Sequence, residues 1–273
     1  MNTINEGATM ELATILLPVY APDPCFLKEA ISSICLQSID KNYFSVIVCF
    51  DGPHPNELIE FTERCFFNNI TNLVISTDEK VGLTGVLNHM LARVSTPYFV
   101  RIDSDDIMHP ERLKYQLNAL IKNNYDLCGS RVCMIDEQSN ILPSARFQYP
   151  TSDFLIRLVG SIYNNPIAHP AVSGRVDCLS ALGYYSQSPP FEDYHLWSRY
   201  SKDKSLQNLP QSLLYYRVHP SQITSQHIVP YKQLVAIRVQ FLWNFLLKYP
   251  FAIIILPLLF MVACIPLNLF RSK

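Results

Sequence analysis

The sequence predicts an α/β fold: a mostly parallel, Rossmann-like sheet flanked by helices. Three observations predict it. In the first half, short apolar runs alternate with segments whose apolar residues recur at helical spacing, the pattern of βαβ units. The apolar runs end repeatedly on polar residues, at Tyr20, at Asp51 and at the cluster Asp103, Asp105 and Asp106. Those are strand C-termini, where such sheets bind ligands. Finally, the chain has 273 residues, 49% hydrophobic and 16% charged, with a net charge of -1. That length holds one sizeable domain plus an added element, and the balanced charge offers no field to gather nucleic acid.

Element by element, "LATILLPVY" reads as a buried strand that stops at Pro18 and Tyr20, and "CFLKEAISSICLQS" as a helix with Phe26, Leu27, Ala30, Ile31 and Ile34 on one face. "FSVIVCFDG" is a second strand ending in Asp51-Gly52, "NELIEFTERCFF" a helix, "NLVIST" a third strand and "LTGVLNHMLARV" a further helix. "PYFVRID" is the fourth strand, and "HPERLKYQLNALIKN" a helix with Pro110 in its first turn. The second half is less regular. "YDLCGSRVCMIDEQSNIL" predicts strands joined near Ser139-Asn140, "PSARFQYPTSDFLIRLVGS" a loop and a helix, and "NPIAHPAVSGRVDCLSALGYY" loops with one short helix. "SPPFEDYHLWSRYSK" starts a helix after two prolines.

The eight cysteines include no CxxC pair, which argues against a zinc ribbon or a redox couple. The N-terminus lacks a basic segment followed by an apolar one, so no secretory signal is expected and the thiols are expected in a reducing, cytoplasmic setting. The tail Pro250 to Phe270 carries no charge, with Lys248 before it and Arg271 and Lys273 after it. Its length is about that of a bilayer span. A first domain over residues 1–225 is therefore expected, followed by a helical region over 226–273 that holds a membrane-associated hydrophobic helix.

In an extended segment, residues i and i+2 point the same way. Asp103 and Asp105 therefore aim at one point, and Asp106 elsewhere, toward the cap of the coming helix. Convergent carboxylates repel unless a cation lies between them, and hard oxygen ligands suit Mg2+ or Mn2+ shared with substrate phosphates. Glu192 and Asp193 open a helix, where acidic residues are favoured by the dipole alone.

Together, "TILLPVYAPDPCFLKEAISSICLQS", "VIVCFDG", "KVGLTGVLNHML", "TPYFVRIDSDDIMHPERLKYQ", "FEDYHLWSRY" and "YYRVHPSQIT" resemble, in order, the motifs of family 2 glycosyltransferases with the GT-A fold. The resemblance covers roughly residues 13–225. It implies that Pro18, Tyr20 and Asp51 lie at the nucleotide base, with Lys80 and Gly82 in the donor loop near the diphosphate. Two departures stand at the base: Ala21 where an asparagine is usual, and Phe50 where a second aspartate is usual. The resemblance further implies Asp103 at ribose or metal, Asp105 as metal ligand, and His219 as a further metal or phosphate ligand. Asp193 would be the general base, Glu192 would position the acceptor or support its loop, Arg217 would pair with phosphate and His169 would line the acceptor side. The Gln240 stretch "QFLWN" lacks the arginine of the Q-x-x-R-W motif that marks processive synthases, so single-sugar addition is implied.

The expected activity is an inverting transfer of glucose or galactose from a UDP-sugar, with Mn2+ or Mg2+. The expected acceptor is GlcNAc or GalNAc on a polyprenyl diphosphate, at the cytoplasmic face of a bacterial inner membrane during surface-polysaccharide assembly. The alternatives are a polyprenyl-phosphate hexosyltransferase, a nucleotidyltransferase and an inactive nucleotide-binding module.

Overall fold

The computed structural model describes residues 11–67, 69–147, 149–186, 191–220, 231–255 and 257. The strands are β1 Ala13–Val19, β2 Phe44–Phe50, β3 Asn72–Ser76, β4 Tyr98–Arg101, β5 Ile107–Met108, β6 Leu127–Ile135, β7 Ile141–Phe147, β8 Ser173–Arg175 and β9 Leu206–Arg217. The helices are α1 Pro24–Cys35, α2 Asn56–Cys65, α3 Gly82–Leu91, α4 Arg112–Lys122, α5 Asp153–Ile162, α6 Val176–Ala181, α7 Glu192–Tyr200 and α8 Tyr231–Lys248. Among the described residues the strands form one sheet in the order β3-β2-β1-β4-β8-β6-β9-β5, with β7 paired to β6.

β1 and β2 are apolar at nearly every position because both faces of the sheet are covered. Ile15, Leu17, Val46 and Val48 pack with Leu27, Ile31 and Ile34 of α1 and Leu113, Leu117 and Leu120 of α4. Leu16, Ile47 and Cys49 face the other way, into Val86, Leu87 and Met90 of α3, Trp197 of α7 and Phe241 of α8. α1 starts where Asp23 accepts the backbone N–H groups of Cys25 (2.7 Å) and Phe26 (3.3 Å), with Pro24 at the first helical position. Pro110 lies ahead of α4 rather than inside it, since that helix begins at Arg112.

The four βα-type strands come out as expected, with β3, β2, β1 and β4 all parallel. Beyond β4 the sheet is mixed: β8 runs antiparallel to β4 and to β6, β9 runs parallel to β6, and β5 and β7 run against their partners. Two expectations are corrected here. The segment from Pro143 to Phe147 belongs to β7 instead of a loop. And β9, not anticipated, crosses Pro210 because the register with β6 shifts there, so its missing N–H removes no ladder bond.

Among the described residues, no helix is long and apolar enough to cross a membrane. The expected hydrophobic helix is therefore not supported; of the tail, residues 250–255 form a short 3-10 segment and 258–270 lie outside the described residues. The N-terminal segment 1–10 and residues 221–230 of the expected closing segment also lie outside them.

β6 and β9 approach so closely that a Cβ on Gly129 would overlap the Asn208 side chain, whose Nδ2 donates to the carbonyls of Pro150 (2.7 Å) and Pro166 (2.9 Å). Gly129→Ala is expected to cost about 1–3 kcal/mol. The check is urea unfolding, where the midpoint falls and the slope is unchanged.

Candidate active site

The base end of the site is built at the tips of β1 and β2. Asp51 is buried, and its carboxylate accepts the backbone N–H groups of Val81 (2.7 Å) and Gly82 (3.2 and 3.1 Å), pinning the start of α3 to the sheet. Gly52 has φ +89°, and a Cβ there would meet Lys80 Cγ at 2.9 Å, so the turn after β2 demands glycine twice over. The Lys80 ammonium lies 5.3 Å from the centre of the exposed Tyr20 ring. Tyr20, Asp51, Lys80 and Gly82 are thus neighbours. Pro18 is not part of that surface: it is buried within β1, beyond the last residue paired with β4.

The aspartate turn follows β4. Asp103, Asp105 and Asp106 each offer a carboxylate oxygen, and these all lie within 4.8 Å of one another. Asp103 pairs with Arg101, and Asp105 Oδ2 lies 2.9 Å from His219 Nε2. Asp106 does not cap α4, whose cap residue is Glu111. Its Oδ1 instead accepts the Arg217 backbone N–H at 2.9 Å, while Oδ2 is buried with no hydrogen-bond partner. An orphaned carboxylate oxygen beside two other carboxylates fits a hard divalent cation, so Asp103, Asp105, Asp106 and the adjacent His219 would hold Mg2+ or Mn2+. Burial pushes Asp103 up to about 6, with the pull of Arg101 against it and the like charge of Asp105 and Glu192 with it. Burial, then Asp105 and Asp103, holds Asp106 well above the usual carboxylate range.

Arg217 is corrected from a phosphate partner to a strut. Fully buried, it donates from Nε to the Asp105 carbonyl (2.8 Å) and from Nη1 to Asp136 O (3.1 Å), Glu137 O (3.2 Å) and Ser139 Oγ (3.0 Å). It also pairs with Glu29 at 2.5 Å and lies 4.3 Å over the Phe26 ring. Its guanidinium braces the aspartate turn from behind.

α7 begins after Phe191, which holds a left-handed φ of +108°. Asp193 accepts from the Tyr194 N–H (2.6 Å) and from Asn165 Nδ2 (2.5 Å). Burial pushes Asp193 up to about 7, aided by Glu192 and opposed by Tyr194 N–H, Arg101 and Asn165. Glu192 accepts the Phe191 N–H at 3.3 Å, and its Oε1 lies 3.9 Å from His169 Nδ1. His169 is buried, not a lining residue. Its Nε2 is 2.9 Å from the Tyr185 hydroxyl, and burial, followed by Arg101, lowers its affinity for a proton so that it stays neutral.

Sequence reasoning missed two residues here: Arg101, whose charge reaches both halves, and Asn165, which holds Asp193. Arg101 is fully buried, with Nε and Nη1 lacking partners, and its charge acts on Asp103, Tyr185, Asp106 and Asp193. A charged residue at the end of the apolar run "YFV" was the signal. Asn165, in "YNNPIAHP", gave none.

The sequence profile described as Glycosyl transferase family 2 matches residues 14–182, more than half of the chain. The chain belongs to glycosyl transferase family 2. Curated relatives of this glycosyltransferase include the O-antigen biosynthesis glycosyltransferase WbnJ of Escherichia coli, 24% identical over 77% of this chain and 81% of that protein. The amylovoran biosynthesis glycosyltransferase AmsE of Erwinia amylovora is 26% identical over 78% of this chain and 79% of that protein. An Escherichia coli UDP-Gal:alpha-D-GlcNAc-diphosphoundecaprenol beta-1,3-galactosyltransferase is 28% identical over 67% of this chain and 66% of that protein. Among solved structures, residues 1–349 of S. aureus TarS with UDP-GlcNAc align with a TM-score of 0.66 at 18% identity, over 84% of this chain and 66% of that one. The chain spans 39% of a longer S. aureus TarS structure. The mannosyltransferase PcManGT from Pyrobaculum calidifontis, solved with GDP-Man and Mn2+, aligns at 0.61 and 13% identity over 88% of this chain and 64% of that one. These structural likenesses establish the GT-A fold.

Removing the strut by Arg217→Ala leaves Glu29 and several carbonyls without their donor and loosens the turn. The expected loss is about 3 kcal/mol of stability. Differential scanning calorimetry reads the loss, and calorimetric titration with Mn2+ reads the accompanying fall in metal affinity.

Proposed function

We propose that this family 2 enzyme is an inverting, divalent-metal-dependent and non-processive hexosyltransferase. It moves one glucose or galactose from a UDP-sugar onto GlcNAc or GalNAc linked to a polyprenyl diphosphate, in the assembly of a surface-polysaccharide repeat unit. The observation that carries this reading is the pairing of two unlike carboxylate sites across one buried cation. The aspartate turn and Asp193 both lie in the field of Arg101. One side is a crowded set of oxygens suited to a cation and a diphosphate, and the other is a single carboxylate poised near neutrality.

Tyr20 offers an exposed ring face for the nucleobase, with Asp51 at its edge and Lys80 toward the phosphates. Asp103, Asp105, Asp106 and His219 would hold a divalent ion, which when bound would supply Lewis-acid neutralisation of the departing diphosphate. Asp193 takes the proton from the acceptor hydroxyl as that oxygen attacks the anomeric carbon on the face opposite the leaving group, and one displacement inverts the centre. Asn165 Nδ2 and the Tyr194 N–H hold the carboxylate in place while it works. Glu192, backed by neutral His169 and Tyr185, lines the entry to the base. The donor assignment is supported by the UDP-GlcNAc bound in TarS, and the acceptor by the relative whose name specifies GlcNAc-diphosphoundecaprenol. An acceptor of that kind would be met at the cytoplasmic face of the membrane, and the uncharged sequence from Pro250 to Phe270 supports that location.

Asp193→Asn is expected to lower kcat by about 10²- to 10⁴-fold while UDP binding is kept. The wild-type kcat/KM is expected to be flat above pH about 7 and to fall below it, because the charged form of Asp193, pushed up to about 7, is the base. Asn165 favours that charged form, so Asn165→Ala moves the acid limb to higher pH. Full transfer by Asp193→Asn would overturn the assignment of the base. Separately, excess EDTA is expected to abolish transfer and Mn2+ to restore it, with no restoration in Asp105→Ala.

A further inference from the structure

We propose that Asn88, Tyr185 and His169 are positioning residues: a hydrogen-bonded relay that aims Glu192 and is carried by the helix that holds the donor loop. α3 begins at Gly82, where Asp51 pins it to the sheet. Further along the same helix, Asn88 Nδ2 donates to the Tyr185 carbonyl (2.9 Å) and Asn88 Oδ1 accepts the Tyr185 N–H (3.1 Å). One side chain thereby bonds Tyr185 as a neighbouring strand would. The Tyr185 hydroxyl meets His169 Nε2 at 2.9 Å, and His169 Nδ1 faces Glu192 Oε1 at 3.9 Å. The contacts run from the turn after β2 to the residue beside Asp193.

Two observations set this chain of contacts apart from ordinary packing. The first is strain. Tyr184, immediately before Tyr185, has φ +59°, a conformation that bulky residues rarely adopt. Arg199 holds the bend, donating Nη1 to Leu182 O (2.6 Å) and Nη2 to Tyr184 O (2.5 Å). Strain of this kind persists where the surroundings over-determine it, and it gathers at working sites. The second is the direction of one proton. His169 is buried and neutral, so one ring nitrogen carries the proton. A carboxylate oxygen faces Nδ1, whereas the Tyr185 hydroxyl can donate or accept. Both contacts are favourable only when Tyr185 donates to Nε2 and Nδ1–H points at Glu192. Trp197 of α7 meets the imidazole edge-on at 6.0 Å and fixes its orientation. Glu192 Oε2 takes the Phe191 N–H, so Oε1 is the oxygen that the relay aims. The relay rests on the reading of Glu192 as the acceptor-side carboxylate and deepens it: the donor helix sets its orientation.

The test uses the full chain and has two arms. Heteronuclear NMR of the histidine rings needs no substrate, and His169→Asn identifies the signal. The expected result is a neutral Nδ1–H tautomer, with a shifted Nε2 resonance in Tyr185→Phe, a variant that keeps its ring in the core. An Nε2–H tautomer in the wild-type chain would overturn the relay. The kinetic arm follows transfer from UDP-glucose or UDP-galactose with Mn2+ to a short-chain lipid-diphosphate-GlcNAc analogue. Tyr185→Phe and Asn88→Ala are each expected to raise the acceptor KM about tenfold, the loss of one hydrogen bond, with the Kd for UDP unchanged. In a Glu192→Gln background neither substitution is expected to add to the loss. Independent losses in that background, or UDP binding weakened as much as acceptor use, would assign these residues to packing and overturn the relay. A wild-type chain that shows the Nδ1–H tautomer yet transfers neither sugar would overturn the proposed function and leave the relay standing.

Discussion

Three carboxylates crowded at the end of β4 are the constraint on which the rest of the molecule depends. Like charges in a half-buried turn repel, and the protein holds them together with arginines placed behind the turn. Arg101 pairs with Asp103 from the strand itself. Arg112, fully buried, donates to the carbonyls of Arg101 (2.7 Å) and Val172 (3.3 Å) and fixes the strand end against β8. Burial pushes Arg112 down to about 9, with Asp106 acting against that shift. Arg217 closes the far side. These cations stand behind the turn and cannot fill its open side, so the residual repulsion there is what a divalent ion would relieve.

That arrangement explains why the sheet becomes mixed. A purely parallel sheet would leave the aspartate turn open on one flank. Because β9 runs beside β6 and pairs with the short β5, it carries Arg217 and His219 back over the turn. Residues more than a hundred positions apart thereby share one hydrogen bond, from the Arg217 N–H to Asp106. The same half of the chain supplies α7 and Asn165, the partners that hold Asp193.

The first half was legible because its signals are local. Apolar runs such as "SVIVCF" and helical spacing in α1 and α4 need no knowledge of distant partners, and strand ends point to the ligand side by topology alone. The positions of Asp103, Asp105 and Asp193 at strand and helix ends were legible for the same reason, while the roles proposed for them came from the family resemblance. What failed was set by long-range packing. β8 and β5 are too short to show a period, and β9 contains Pro210, which reads as a breaker until the register shift is seen. Arg217 looks like an exposed phosphate partner in sequence, yet it is buried among partners contributed by distant segments. Asn165 is a loop asparagine whose role exists only through Asp193.

In the proposed mechanism a divalent cation would complete the aspartate turn. The most direct measurement is thermal unfolding of the full chain at pH 7 across a Mn2+ series, with and without UDP. A ligand that binds only the folded state raises stability by RT ln(1 + [L]/Kd), about 2.7 kcal/mol at a hundred times Kd. The melting temperature is expected to climb with Mn2+, to climb further with UDP present, and to lose both responses in Asp105→Asn. A melting temperature unmoved by Mn2+ in the presence of saturating UDP would contradict it.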